Sequence, residues 1–155
     1  MRKTEGRREL TKTIWRDLET AAPEIARLGR NRFERARVAL LGTIRKDGSP
    51  RISPVEPKTR DLLRDPRCVL HSAIFDPDSG EGEFKLYGRV TEAEEQIRNE
   101  CREAWWATRP ADAAMVFSVN IDEATFISWD AEQGEMTVRR WSPQFGYRET
   151  RRDYP

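Results

Sequence analysis

One histidine and two cysteines in 155 residues leave little room for metal or thiol chemistry. His71, Cys68 and Cys101 are too few and too scattered to build a multi-histidine metal site or a clustered thiolate site within one chain. Cys68 stands three residues from His71 along a predicted strand, so the two project to opposite faces. A cysteine–histidine nucleophile pair would therefore need Cys101. The two cysteines read as unpaired thiols of a reducing compartment. No apolar run approaches the length of a membrane span. The basic start (Arg2, Lys3, Arg7, Arg8) is not followed by the apolar stretch of a signal peptide, so the expected location is cytoplasmic. Against 28 basic side chains stand 27 acidic ones, a formal charge of +1 that gives no global attraction to nucleic acid or acidic membranes. Neither a Walker-type loop nor a G-x-G-x-x-G loop occurs. With acid–base groups this sparse, an enzyme built on this chain leaves the reaction to a cofactor.

What is present is a soluble, heavily charged globular chain, 37% hydrophobic and 35% charged, of a length suited to one domain over 1–155. Its organising stretch is Val38 to Pro57, which reads as a β-hairpin. Val38, Leu40, Leu41 and Ile44 form an apolar run expected of a strand buried on both faces. Lys46-Asp47-Gly48-Ser49 supplies the turn. Ile52 and Val55 then alternate with Arg51, Ser53 and Glu56, and Pro50 and Pro54 assign the return strand to a sheet edge or an opening. An opening lined by Arg and Ser on a rigid strand is a place to hold an anion.

In chain order, residues 1–10 read as a flexible start and 11–36 as N-terminal helices. Thr13 to Leu18 is a short helix; a second starts near Pro23 and presents Ile25, Leu28 and Phe33 to the core, weakened or broken at Gly29. Lys58 to Asp65 is a two-turn helix stopped by Pro66. Strands follow at Cys68 to Phe75 and Glu83 to Thr91, the latter with a bulge expected at Gly88. Ala93 to Ala107 is a helix with Ile97, Cys101 and Trp105 in its apolar stripe. Met115 to Val119, Ala124 to Trp129 and Met136 to Trp141 read as three more strands, and 142–155 as a polar tail. About six strands without regular β-α alternation predict an antiparallel barrel, mainly β with flanking helices.

Lys58-Thr59-Arg60 is the second focus. Cations at a helix start oppose the helix dipole, a local conflict that a bound phosphate resolves. A solvated charged turn accounts for the same residues. Trp129 and Trp141 end predicted strands, where rings cap a barrel. Arg139-Arg140 and Arg151-Arg152 read as solvated or as subunit contacts.

Three stretches in order, LLGTIRKDGSPRISPVEP, KTRDLLRDPRCVLHSA and GEFKLYGRVTEAEE, resemble the pyridoxamine 5′-phosphate oxidase-like, FMN-binding split-barrel family. Residues 33–93 carry the match, and the closing RRWSPQFG segment is similar too. The resemblance implies an antiparallel split β-barrel and a flavin-dependent oxidoreductase that binds FMN, or F420, at a homodimer interface. Hydride would pass between the ring and a small-molecule substrate. Alternatives within the fold are a cofactor-free binding or scaffolding member and a haem-binding relative, for which His71 is the imidazole on offer. Carried across position by position, Arg51, Ser53 and Val55 match the hairpin strand that lines the flavin, and Lys58 matches the lysine that binds the ribityl phosphate, with Arg60 beside it. Glu83 falls near a position often occupied by glutamine and facing the ring, and Glu56 where true oxidases of pyridoxamine phosphate carry lysine. A strand and a loop that relatives place between the hairpin and the next helix have no counterpart between Pro57 and Lys58.

Overall fold

The computed structural model describes residues 12–54, 59–76, 79–104 and 115–153. Its elements run α1 (Trp15–Ala21), α2 (Pro23–Ala36), β1 (Ala39–Ile44), β2 (Pro50–Pro54), α3 (Thr59–Arg64), β3 (Arg67–Ser72), β4 (Glu83–Glu92), α4 (Glu95–Ala104), β5 (Phe117–Asp130), β6 (Glu135–Ser142) and β7 (Gly146–Asp153). All seven strands form one antiparallel sheet in the order β2-β1-β3-β4-β5-β6-β7. The sheet is not closed, as in a split barrel.

Helix α2 begins with Pro23 in its first turn, where a missing N–H costs nothing. It is not broken at Gly29. A Cβ there would lie 2.6 Å from the Phe84 ring, so glycine is what lets the helix approach the sheet. Phe84 is fully buried, with Trp15 and Phe33 edge-on to it at 6.1 and 5.3 Å between centroids. Leu18, Ile25, Leu86, Ala124, Phe126 and Trp141 complete this core. A smaller cluster of Leu41, Leu62, Cys68 and Val90 sits beneath α3. Burial pushes the Cys68 thiol up to about 11, and the neighbouring Asp122 carboxylate adds to the shift, so this sulfur is an inert core group.

The hairpin stands where the sequence predicts it, with Gly48 at φ +83° in the turn and Asp47 accepting from the Ser49 backbone N–H at 2.9 Å and its hydroxyl at 2.6 Å. Strand β2 forms the sheet edge. Three further readings need correction. Strand β1 is not buried on both faces: Leu41 and Thr43 point inward while Leu40 is 36% exposed, because α3 covers one side. The two strands predicted between Met115 and Trp129 are one, β5, whose long pairing with β4 survives through a bulge at Tyr87/Gly88. The polar tail is strand β7, exposed along its whole length and held by its ladder to β6. Strand periodicity was hidden there by charged residues on both faces. Trp105, Trp106 and the second half of the predicted 93–107 helix lie outside the described residues.

A buried ionic clasp joins α2 to the loop before β4. Glu81 and Arg32, with side chains 5% and 6% exposed, pair at 2.8 Å, and Arg35 adds a contact at 3.3 Å. Arg32 also donates to the Ala73 carbonyl at 2.7 Å. Glu81 accepts from the backbone N–H groups of Phe75 and Asp76. The Arg32 hydrogen bond, aided by those N–H groups, holds the Glu81 carboxyl down at about 2 against the cost of burial.

Candidate functional site

Arg51 is placed by the register of the hairpin. It pairs across the ladder with Thr43, and both share the face on which Leu41 points to α3. Helix α3 lies against β1, anchored by Leu62, and so directs Asp61 toward the same place. Asp61 is 6% exposed. Its carboxylate pairs with Arg51 at 2.8 Å and with Arg64 at 2.9 Å, and the Thr43 hydroxyl donates to it at 3.4 Å. Arg64 is itself tied to the Ile44 carbonyl at 2.7 Å. The Arg64 hydrogen bond, followed by the charges of Arg51 and Arg64, holds the Asp61 carboxyl below its ordinary range.

This network forms one wall of a shallow cleft of about 510 Å³ lined by Arg45, Lys46, Asp47, Arg51 and Asp61. Arg45 and Lys46 are exposed, and the charge of Arg45 acts on Asp47 beside it. Three cations and two carboxylates line the cleft, leaving it positive.

Of the five predicted binding residues, Arg51 lines the cleft and Ser53 stands half-buried two residues along the same strand, on the same face. Arg60 is exposed on α3, one residue before Asp61. Val55 and Lys58 lie outside the described residues, as does Glu56. Sequence reading missed Thr43, Asp61 and Arg64. The i, i+3 spacing of Asp61 and Arg64 was a readable signal for their pairing, but nothing local pointed from Asp61 to Arg51.

A second polar group lies on the opposite sheet face. Glu83 is contacted by Lys85 at 2.5 Å and by His71 Nε2 at 3.2 Å, while His71 Nδ1 lies 2.6 Å from the Ser72 carbonyl. The register aligns Leu40, His71, Lys85, Thr125 and Arg140 in one row across five strands. Both nitrogens of His71 therefore have partners, and an axial role toward haem would break the contact with Glu83. Arg139 is not solvated: its side chain is 19% exposed and reaches Ser128, Glu24 and Glu149.

No family profile matches the sequence, and no curated protein matches it. Solved structures do. PhzG from Burkholderia lata, in complex with tetrahydrophenazine-1-carboxylic acid, superposes with a TM-score of 0.58 at 11% identity over 90% of this chain and 95% of that one. A pyridoxamine 5′-phosphate oxidase-related, FMN-binding protein from Nostoc punctiforme gives 0.57 at 9% identity, over 88% and 96%. A haem-binding protein from Mycobacterium smegmatis gives 0.52 at 14% identity, over 85% and 89%. The fold is thus that of the pyridoxamine 5′-phosphate oxidase-like, FMN-binding proteins, as the sequence motifs implied.

Proposed function

We propose that this protein is a flavin-dependent oxidoreductase that binds FMN, with F420 as the alternative cofactor, and acts as a cytoplasmic homodimer. The observation that carries the reading is Arg51, held on a rigid edge strand at a positive cleft within a fold that FMN-binding proteins share. The donor set suits a phosphate. A guanidinium offers five N–H donors, of which Asp61 engages only part, and Arg45 and Lys46 add charge at the rim. Lys58 and Arg60 would complete the phosphate end, and Ser53 and Val55 would run along the ribityl chain and ring.

When bound, the flavin ring supplies the hydride chemistry with a small-molecule substrate. The chain's own residues bind and orient it. Arg51 fixes the phosphate, the β2 backbone sets the direction of approach, and the His71–Glu83–Lys85 group gives the second sheet face a fixed polar centre. That face also carries Leu40 and Tyr87, 36% and 39% exposed, apolar surface suited to a second copy.

The test is an absorption spectrum of the purified protein before and after FMN or F420, followed by titration. Saturable binding at micromolar concentration, weakened at least tenfold in the Lys58→Ala/Arg60→Ala double variant, is the expected outcome. Binding of neither cofactor overturns the reading. Sedimentation gives the subunit number, and a monomer at binding concentrations removes the interface from the proposal.

A further inference from the structure

The network at Arg51 has the form of an anion site already holding an anion. Two guanidinium groups converge on one carboxylate at 2.8 and 2.9 Å, a hydroxyl donates from a third direction, and that carboxylate belongs to the chain itself. Asp61 is buried where α3 meets β1 yet forms part of the cleft wall, so a ligand on Arg51 meets its charge directly. The other acid of the cleft differs. Asp47 is tied to Ser49 within the hairpin turn and belongs to the turn's own hydrogen bonding.

We infer that Asp61 is the specificity-determining residue of the phosphate subsite: an internal counter-anion that competes for Arg51 and sets how tightly a phosphate can bind. The inference rests on the proposed binding of a phosphate-bearing flavin. Two opposed effects act through the same contact. Asp61 orders the Arg51 side chain, which favours binding, and it places a full negative charge one hydrogen bond behind the guanidinium, which opposes it. The second dominates for a phosphate monoester, because a doubly charged ligand feels Asp61 twice over in a site partly screened from solvent. The ladder to β1 already fixes the Arg51 backbone, so the ordering that Asp61 adds is confined to the side chain. The affinity of the cleft for anions is therefore held below what its cations alone would give. A ligand that lacks phosphate is indifferent to the device.

The experiment is titration of Asp61→Asn with FMN and with riboflavin, which differ only in the phosphate, at low and at moderate salt. The expected result is FMN binding about tenfold tighter than in the parent protein, with riboflavin unchanged within about twofold and a steeper salt dependence for FMN. A merely structural role for Asp61 moves both ligands together. Unchanged or weaker FMN binding by a folded Asp61→Asn protein overturns the inference. Asp61→Ser, which removes the charge without requiring an amide in the carboxylate's place, supplies the same reading if Asp61→Asn fails to fold. Should neither flavin bind either protein, the flavin assignment falls on its own, and pyrophosphate decides the rest. A thermal shift with pyrophosphate in the variant but not the parent sustains the counter-anion; no shift in either overturns it.

Discussion

Among the described residues one buried carboxylate twice stands between two arginines, and the two arrangements have opposite surroundings. Glu81 is enclosed: Arg32 and Arg35 on α2 face it, backbone N–H groups of Phe75 and Asp76 cap it, and Arg32 is further fixed by the Ala73 carbonyl. Asp61 takes part of its bonding from Arg51 and Arg64 but lies in the wall of a cleft, with the exposed Arg45 and Lys46 at the rim. The same chemistry serves as a clasp where the carboxylate is closed in by α2 and the backbone N–H groups of the loop before β4. Where one guanidinium lines a cleft, it can serve a ligand. Burial alone does not separate the two, since Glu81 and Asp61 side chains are 5% and 8% exposed. The cleft that Arg51 and Asp61 line does.

Breaking the clasp should have the largest effect. Arg32→Ala leaves Glu81 buried with only the more exposed Arg35 and the Phe75 and Asp76 backbone N–H groups, and loss of about 3 kcal/mol of folding stability is expected by urea unfolding. A loss within experimental error would mean that water enters and replaces the guanidinium, and the contrast between the two clusters would disappear.

The clasp also predicts a pH dependence. The folded carboxyl of Glu81 is held near 2 against an ordinary 4.5, so the unfolded chain binds the extra proton between those values. Its stabilising contribution is complete above about pH 4.5 and declines as pH falls toward 2. Glu81→Gln should lower stability at neutral pH and flatten that part of the acid unfolding profile. An unchanged slope would assign the acid transition to other carboxylates.

At the cleft the ranking of effects should reverse. Arg51→Ala leaves Asp61 paired to Arg64, so the fold keeps its partner for the buried charge. The stability loss should be smaller than for Arg32→Ala, while the Kd for FMN rises at least about tenfold, the value of one charge-assisted hydrogen bond. Equal losses of stability in the two arginine variants would make the cleft a second clasp.

What the sequence made legible follows the same division. The hairpin turn, the Pro23 start of α2, the inward positions of Phe84, Leu86 and Val90, and the bulge at Gly88 all rest on periodicity or on residues with restricted backbones. Contacts between distant elements carried no such signal. Gly29 reads locally as a helix breaker, and only the Phe84 ring across the core gives it a reason. Arg51 was legible as a strand residue at an opening, but Asp61 lies ten positions on, in another element, and nothing in either stretch shows that they pair at 2.8 Å. Strand β7 was missed because both its faces are polar, so it has no core side for alternation to reveal.

The smallest expected effect on stability gives the cleanest test of the cleft. Arg60 is exposed and makes no hydrogen bond or ion pair among the described residues, so Arg60→Ala should change folding stability by less than about 0.5 kcal/mol. Any loss of FMN affinity in that variant then reports on the ligand and not on the fold. A screened cation near a phosphate predicts a loss of a few-fold that fades as salt is raised, since exposed charges are damped over about 8 Å at physiological ionic strength. A loss that persists at high salt would mean that Arg60 makes a direct, desolvated bond to the phosphate, and the subsite would then centre on α3. No loss at any salt leaves Arg51 on β2 as the residue that holds the charge.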